Sequence, residues 1–124
     1  MTEKEIDLFE KVQSQLESIY DEISLLSKKI QNDALNIFKL KLINNVIIDA
    51  NSLLKENYKP FNEFDIFNEE ELPTNSDVVF IVSQYLACFE KYRIDNTEYS
   101  SFNSEWIWKS NEQNVYITRR PKKL

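Results

Sequence analysis

The 124-residue chain has no glycine, no histidine and one cysteine. Each absence excludes a class of chemistry. Loops that cradle phosphate need glycine, because backbone amides must approach the ligand where a Cβ would clash. A P-loop, a dinucleotide fingerprint and a nucleophile elbow are therefore excluded. The sharp loop of an EF-hand is disfavoured for the same reason. Without histidine there is no imidazole base for a Ser or Cys nucleophile and no imidazole metal ligand. A single thiol forms neither an internal disulfide nor a zinc knuckle. Long apolar runs are missing too. The longest, Val78 to Val82, falls far short of the roughly 20 residues a membrane helix needs. The stretch Met1 to Asp7 is acidic and polar, unlike the charged-then-apolar plan of a signal peptide. The expectation is a cytoplasmic domain with no membrane contact.

What is present suits a folded domain. Hydrophobic residues make up 42% and aromatics 13%, enough for one core at this length. The formal net charge is −6. Residues 119–124, Arg-Arg-Pro-Lys-Lys-Leu, carry four cations and no anion, which leaves the rest of the chain at −10. A body of that sign repels nucleic acid and favours cationic partners. The basic tail reads as a solvated terminus, with a contact to nucleic acid or an acidic partner as the alternative.

Apolar spacing predicts three helices. Over residues 3–31, Phe9, Val12, Leu16, Ile19, Ile23, Leu26 and Ile30 alternate in steps of three and four, a heptad seam. Thr2 and Glu5 have capping-box spacing. The seam reads as a bundle face within one chain or, alternatively, as a coiled-coil contact between chains. A second helix over 34–57, capped by Asn32 or Asp33, carries the stripe Leu35, Phe38, Leu42, Val46, Ala50, Leu53 and Leu54. Ile37, Leu40, Ile43 and Ile47 widen it, the mark of a central helix. Thr74 and Asp77 open a third helix over 75–95, with Val78, Val82, Tyr85, Phe89 and Tyr92 as its seam. Between the second and third helices, residues 58–73 read as irregular. Aromatics at 58, 61, 64 and 67 should lay that segment over the bundle. Residues 96–104 read as a loop, and about 105–118 as a β-hairpin. The predicted fold is mainly α: a three-helix antiparallel bundle with an aromatic cross-over and a small C-terminal hairpin. It forms one domain over 1–118, followed by the basic tail.

Few residues suggest a site. Glu63, Asp65, Glu69, Glu70 and Glu71 are the densest charge cluster, interleaved with Phe64 and Phe67. The cluster fits a solvated loop, a contact face for a basic partner, or a hard-cation loop. The interleaved rings favour a partner over an ion, because interfaces set aromatic anchors inside a charged rim. Trp106 and Trp108 share one face of the hairpin and are further contact candidates beside their core role. Asp21, Glu22 and Asp49 are the only helix carboxylates that suggest metal chemistry, and a solvated face accounts for them. Cys88 reads as a small buried hydrophobe. No cofactor and no metal site are expected.

The function expected is non-catalytic binding of a protein with a basic surface. The sharper form is a small acidic bacterial immunity or antitoxin protein that occludes the basic active site of a toxin. The chain would act as a monomer or as a homodimer through helix 1, with no nucleic-acid partner. The alternative is a structural or oligomerising subunit assembled through the helix 1 seam. A carboxylate-metal phosphohydrolase is the remote third.

Overall fold

Thr2 and Glu5 close the predicted capping box at the start of α1 (Glu3–Lys29), each side chain accepting from the other's backbone amide. In this computed structural model, which describes residues 1–30 and 32–122, α1 is followed by α2 (Ile37–Tyr58), α3 (Asn75–Asn96), β1 (Thr97–Ser100), β2 (Glu105–Trp108) and β3 (Ile117–Thr118). The described residues are mainly helical, at 59%. Among the described residues, no helix is long and apolar enough to cross a membrane. Gln31, the last residue of the first predicted helix, lies outside the described residues.

Helix α2 begins three residues later than predicted. Asn36 is its cap, accepting from the amides of Phe38 (2.8 Å) and Lys39 (3.3 Å); neither Asn32 nor Asp33 has that role. The reason is a competing backbone pairing. Leu35 N–H donates to Pro73 (2.8 Å), Asn75 N–H donates to Asp33 (3.0 Å), and Ala34 bridges Thr74. Amides committed to that bridge cannot also continue a helix.

The bridge sets the topology. It places the start of α3 beside the start of α2, and Asn51–Tyr85 and Tyr58–Asp95 contacts continue the match. These two helices therefore run parallel. Helix α1 is antiparallel to both: Glu22 meets Lys39 near one end, and Phe9 meets Phe89 and Tyr92 near the other. Residues 59–73 must return along the bundle to join two parallel helices, which is why the cross-over is long.

The core draws on all three helices. Phe9, Val12, Leu16 and Ile23 of α1 pack with Leu40, Ile43, Ile47, Ala50 and Leu54 of α2 and with Val78, Val82, Tyr85 and Phe89 of α3. The heptad seam of α1 is thus covered by its own chain from Phe9 to Leu26, while its last predicted member, Ile30, is exposed. The face of α2 is rotated from the predicted one. Leu40, Ile43 and Ile47 form the core, while Phe38 and Leu42 are 70% and 52% exposed. Near its end, α2 is interrupted at Lys55, whose φ of 57° and ψ of −168° are non-helical.

Among the described residues, the C-terminal region holds three strands rather than two. Residues 97–100, predicted as loop, continue directly from α3 as β1 and pair antiparallel with β2; β3 pairs on the other side of β2. The predicted strand over 115–118 narrows to Ile117–Thr118, although Trp108 N–H still donates to Tyr116 (3.0 Å). The register places Thr97 opposite Trp108 and Tyr99 opposite Trp106. Thr97 and Trp108 are buried against the helices. The turn between β1 and β2 places Ser104 at φ 55°, a left-handed position glycine would take more easily.

Candidate functional site

Two asparagines of α2 fix the cross-over. Asn44 Nδ2 donates to the Phe67 carbonyl (2.9 Å), and the Phe67 amide donates back to Asn44 Oδ1 (3.0 Å). Two turns further on, Asn51 Nδ2 donates to the Asp65 carbonyl (2.8 Å) and its Oδ1 accepts from the Tyr85 hydroxyl (2.6 Å). Burial pushes the Tyr85 hydroxyl up to about 12, so it remains a donor at neutral pH. Lys59 forms an ion pair with Asp65. The rings complete the anchoring. Phe64 lies edge-on to Phe67 (5.0 Å) and Tyr85 (6.4 Å), and Phe61 stacks on Phe80 (6.1 Å).

This anchoring separates the predicted site residues into two groups. Phe67 is buried and Phe64 half-buried, so their rings hold the segment onto the bundle. Glu63, Asp65, Glu69, Glu70 and Glu71 are exposed. Asp65 pairs with Lys59; among the described residues, the four glutamates make no ion pair. Between the cross-over and α2 runs a groove of about 730 Å³, lined by Lys41, Asn45 and Ile48 on one side and Ile66, Glu69 and Glu70 on the other. Trp106 and Trp108 are not part of it. Trp108 is buried against Phe9 and Arg93, and Trp106 is half-buried beside Tyr99 (6.0 Å).

A second polar constellation gave no signal in the sequence. Arg93, 1% exposed, donates to Gln13 Oε1 (2.6 and 3.2 Å), to Glu10 Oε2 (2.9 Å) and to the Thr118 hydroxyl. Its guanidinium lies 5.6 Å from the Phe9 ring centre and 5.1 Å from that of Trp108. Glu10 also accepts from Trp108 Nε1 (3.1 Å) and Thr118 Oγ1 (2.6 Å). Burial works to raise the Glu10 carboxyl, but the bonds from Arg93, Thr118 and Trp108, with the charge of Arg93, hold it below its ordinary value.

Glu90 extends the network to the tail. It accepts from Gln13 Nε2, from both terminal nitrogens of Arg119 (2.5 and 3.2 Å), and from the Lys122 amide (2.7 Å). Here too burial raises the carboxyl and the donors, Arg119 first, outweigh it, so the net shift is downward. Lys122 Nζ reaches Glu17 at 3.4 Å. Residues 119–122 are therefore docked on the bundle, which corrects the reading of a solvated tail; Lys123 and Leu124 lie outside the described residues. Gln13 sits next to a seam position and Arg93 follows the last aromatic of the α3 seam, so apolar periodicity assigns neither a role.

The remaining candidates are ordinary. Glu22 pairs with Lys39 at 3.6 Å across the α1–α2 surface. Among the described residues, no three acidic or thiol side chains converge as metal ligands. Cys88 is half-buried, and burial pushes its thiol up, away from the thiolate that nucleophilic chemistry requires. No family model matches the chain, and no curated protein or solved structure matches it.

Proposed function

We propose that the chain is a non-catalytic protein-binding domain whose acidic cross-over meets a basic surface on its partner. One observation carries the reading. Glu63, Glu69, Glu70 and Glu71 are exposed without ion pairs among the described residues, on a segment that Asn44 and Asn51 tie to α2. Carboxylates held on ordered backbone concentrate negative potential and steer a cationic partner. Because the backbone is ordered beforehand, association loses less conformational freedom.

The finer form of the proposal is a small bacterial immunity or antitoxin protein that occludes the basic active site of a toxin. Its support is charge. Enzymes that attack nucleic acid present cationic clefts, and a compact acidic surface can fill one. Assembly through α1 has no comparable support, since Phe9, Leu16 and Ile23 are buried within the chain.

Capture from native host extract tests the reading, with wild type compared against Glu69→Lys with Glu70→Lys. Both positions are exposed, so folding should be unchanged, with stability altered by less than about 0.5 kcal/mol. The expected result is a stoichiometric partner that wild type retains and the reversal loses at equal melting temperature. Retention of every specific partner by the reversed protein would overturn it.

A further inference from the structure

Residues 119–122 are held on the bundle by charged contacts. Arg119 meets Glu90 as a fork, Nη1 to Oε1 at 3.2 Å and Nη2 to Oε2 at 2.5 Å, the two-point geometry that arginine forms with a carboxylate. The Lys122 amide donates to the same carboxylate at 2.7 Å, and Lys122 Nζ lies 3.4 Å from Glu17. Pro121 disfavours helical backbone at Arg120, and the segment runs from one contact to the next without helix or strand. None of its four residues joins the apolar core, and Arg120 and Lys122 are exposed.

Beneath the segment, the rest of the fold shapes its seat. Gln13, 2% exposed, has its Oε1 engaged by Arg93, which turns its Nε2 toward Glu90. Glu10, Gln13 and Glu17 are three and four residues apart on α1 and so share one face of it. Glu90, on α3, is 7% exposed. Without residues 119–122 it would keep Gln13 as its one partner among the described residues, and a carboxylate so placed needs a cation or water. A contact made by charges near the surface, with no apolar burial, is weakened by salt and opens more readily than the helices beneath it. We infer that residues 119–122 are a releasable strap. They occupy, in cis, a seat between α1 and α3 that recognises an extended basic segment by placing an arginine on Glu90. A basic segment of another protein gains that seat only when the strap leaves, so the strap is an autoinhibitory contact. The seat shares no residue with the acidic cross-over and is independent of the binding reading above.

The test uses the full chain and two end-capped peptides, Arg-Arg-Pro-Lys and Lys-Lys-Pro-Lys, with backbone amide shifts reading both site and affinity. Arg119→Gln with Lys122→Gln weakens the strap. The weakened chain should bind the arginine peptide about tenfold tighter than wild type does, because a closed strap lowers apparent affinity to the open fraction. Shifts should fall at Gln13, Glu17 and Glu90. The lysine peptide, equal in charge, should bind about tenfold less tightly, having no fork for Glu90. In wild type alone, roughly 0.5 M salt should move the Lys122 amide toward its unstructured position while the amides of α1 and α3 stay in place. That arm needs no variant and decides by itself if the double variant fails to fold. Equal peptide affinity of the two chains, or shifts confined to residues 63–71, would overturn the seat. Equal binding of the two peptides would overturn arginine recognition. A Lys122 amide that moves only when the helices unfold would make the segment a fixed part of the fold and overturn the strap. A dimer in sedimentation that the weakened chain lacks would place the segment on a second copy and overturn it as well.

Discussion

Arg93 donates two hydrogen bonds to the side-chain oxygen of Gln13, at 2.6 and 3.2 Å, from a position 1% exposed to solvent. A buried guanidinium is costly unless its donors are matched. Here Glu10 and Thr118 accept the remaining bonds, and Phe9 and Trp108 cover it. The arrangement ties α1, α3 and β3 at one point. A fork of donors between two rings is arginine geometry, which lysine cannot reproduce.

Arg93→Ala should therefore cost at least about 2 kcal/mol. That is below the roughly 3–5 kcal/mol for breaking a wholly buried pair, because Glu10 keeps contact with water. Arg93→Lys should lose most of the same amount despite conserving charge. Urea unfolding at neutral pH measures both, through a lowered midpoint at unchanged slope. A loss near zero for Arg93→Lys would show that charge alone, without the fork, accounts for the site.

Stability should fall in acid through this network. Glu10 and Glu90 are both held below the ordinary value of 4.5. A lowered carboxyl contributes stability that is complete above its unfolded value and lost as pH falls through its folded one. The loss should therefore begin near pH 4.5 and deepen below it. Glu90→Gln, or removal of residues 119–124 with Arg119, should flatten that part of the profile. Melting temperature against pH from 7 to 3 checks this. A profile unchanged by both alterations would separate Glu90 from the acid sensitivity.

The fold was legible where local signals agreed with tertiary packing. The capping boxes at Thr2 and Thr74 and the α1 seam are local, and the structure contains them. The α2 face was not legible for a physical reason. Its apolar residues cover more than one side, so periodicity cannot tell Leu40 from Leu42; the bridge at Ala34–Thr74 orients the helix, and that contact is distant in sequence. The first strand carries no clear sequence signal, because Thr97-Glu98-Tyr99-Ser100 is polar on its outer face and follows a helix without a break. The acidic cross-over was visible as composition. Its anchoring depends on Asn44 and Asn51, two polar residues on an apolar face, whose partners 14 to 23 residues away only the fold identifies.

Lys55 offers a clean test of a backbone effect. Its φ of 57° lies where a Cβ is strained and glycine is not, and its side chain is exposed. Lys55→Gly should stabilise the protein by up to about 1 kcal/mol, since strain of this kind costs about 1–3 kcal/mol and glycine's extra freedom in the unfolded chain offsets part of the gain. Lys55→Ala keeps the Cβ and should not. Differential scanning calorimetry of the two variants separates the outcomes: a glycine variant less stable than the alanine one would mean that the helix runs unbroken through residue 55.

Asn44→Ala should act on both stability and binding. The substitution leaves the Phe67 N–H and carbonyl without the partners they have at 3.0 and 2.9 Å. Two backbone groups of a buried residue then lose their bonds, at about 1–3 kcal/mol for a group left unsatisfied. The helix itself is little affected, because alanine is its best former. The loss should therefore be local, with amide hydrogen exchange rising over residues 63–71 more than in α1 or α3. Freed from α2, the segment would have to be ordered on association, so the affinity for a cationic partner should fall although no carboxylate has changed. Asn51→Ala should do the same more weakly, since its one bond to the cross-over is to the carbonyl of exposed Asp65, whereas Asn44 holds both backbone groups of buried Phe67. Uniform exchange across the domain in Asn44→Ala would mean that the cross-over unfolds only with the whole bundle, and the ordered presentation of its glutamates would then not depend on this asparagine.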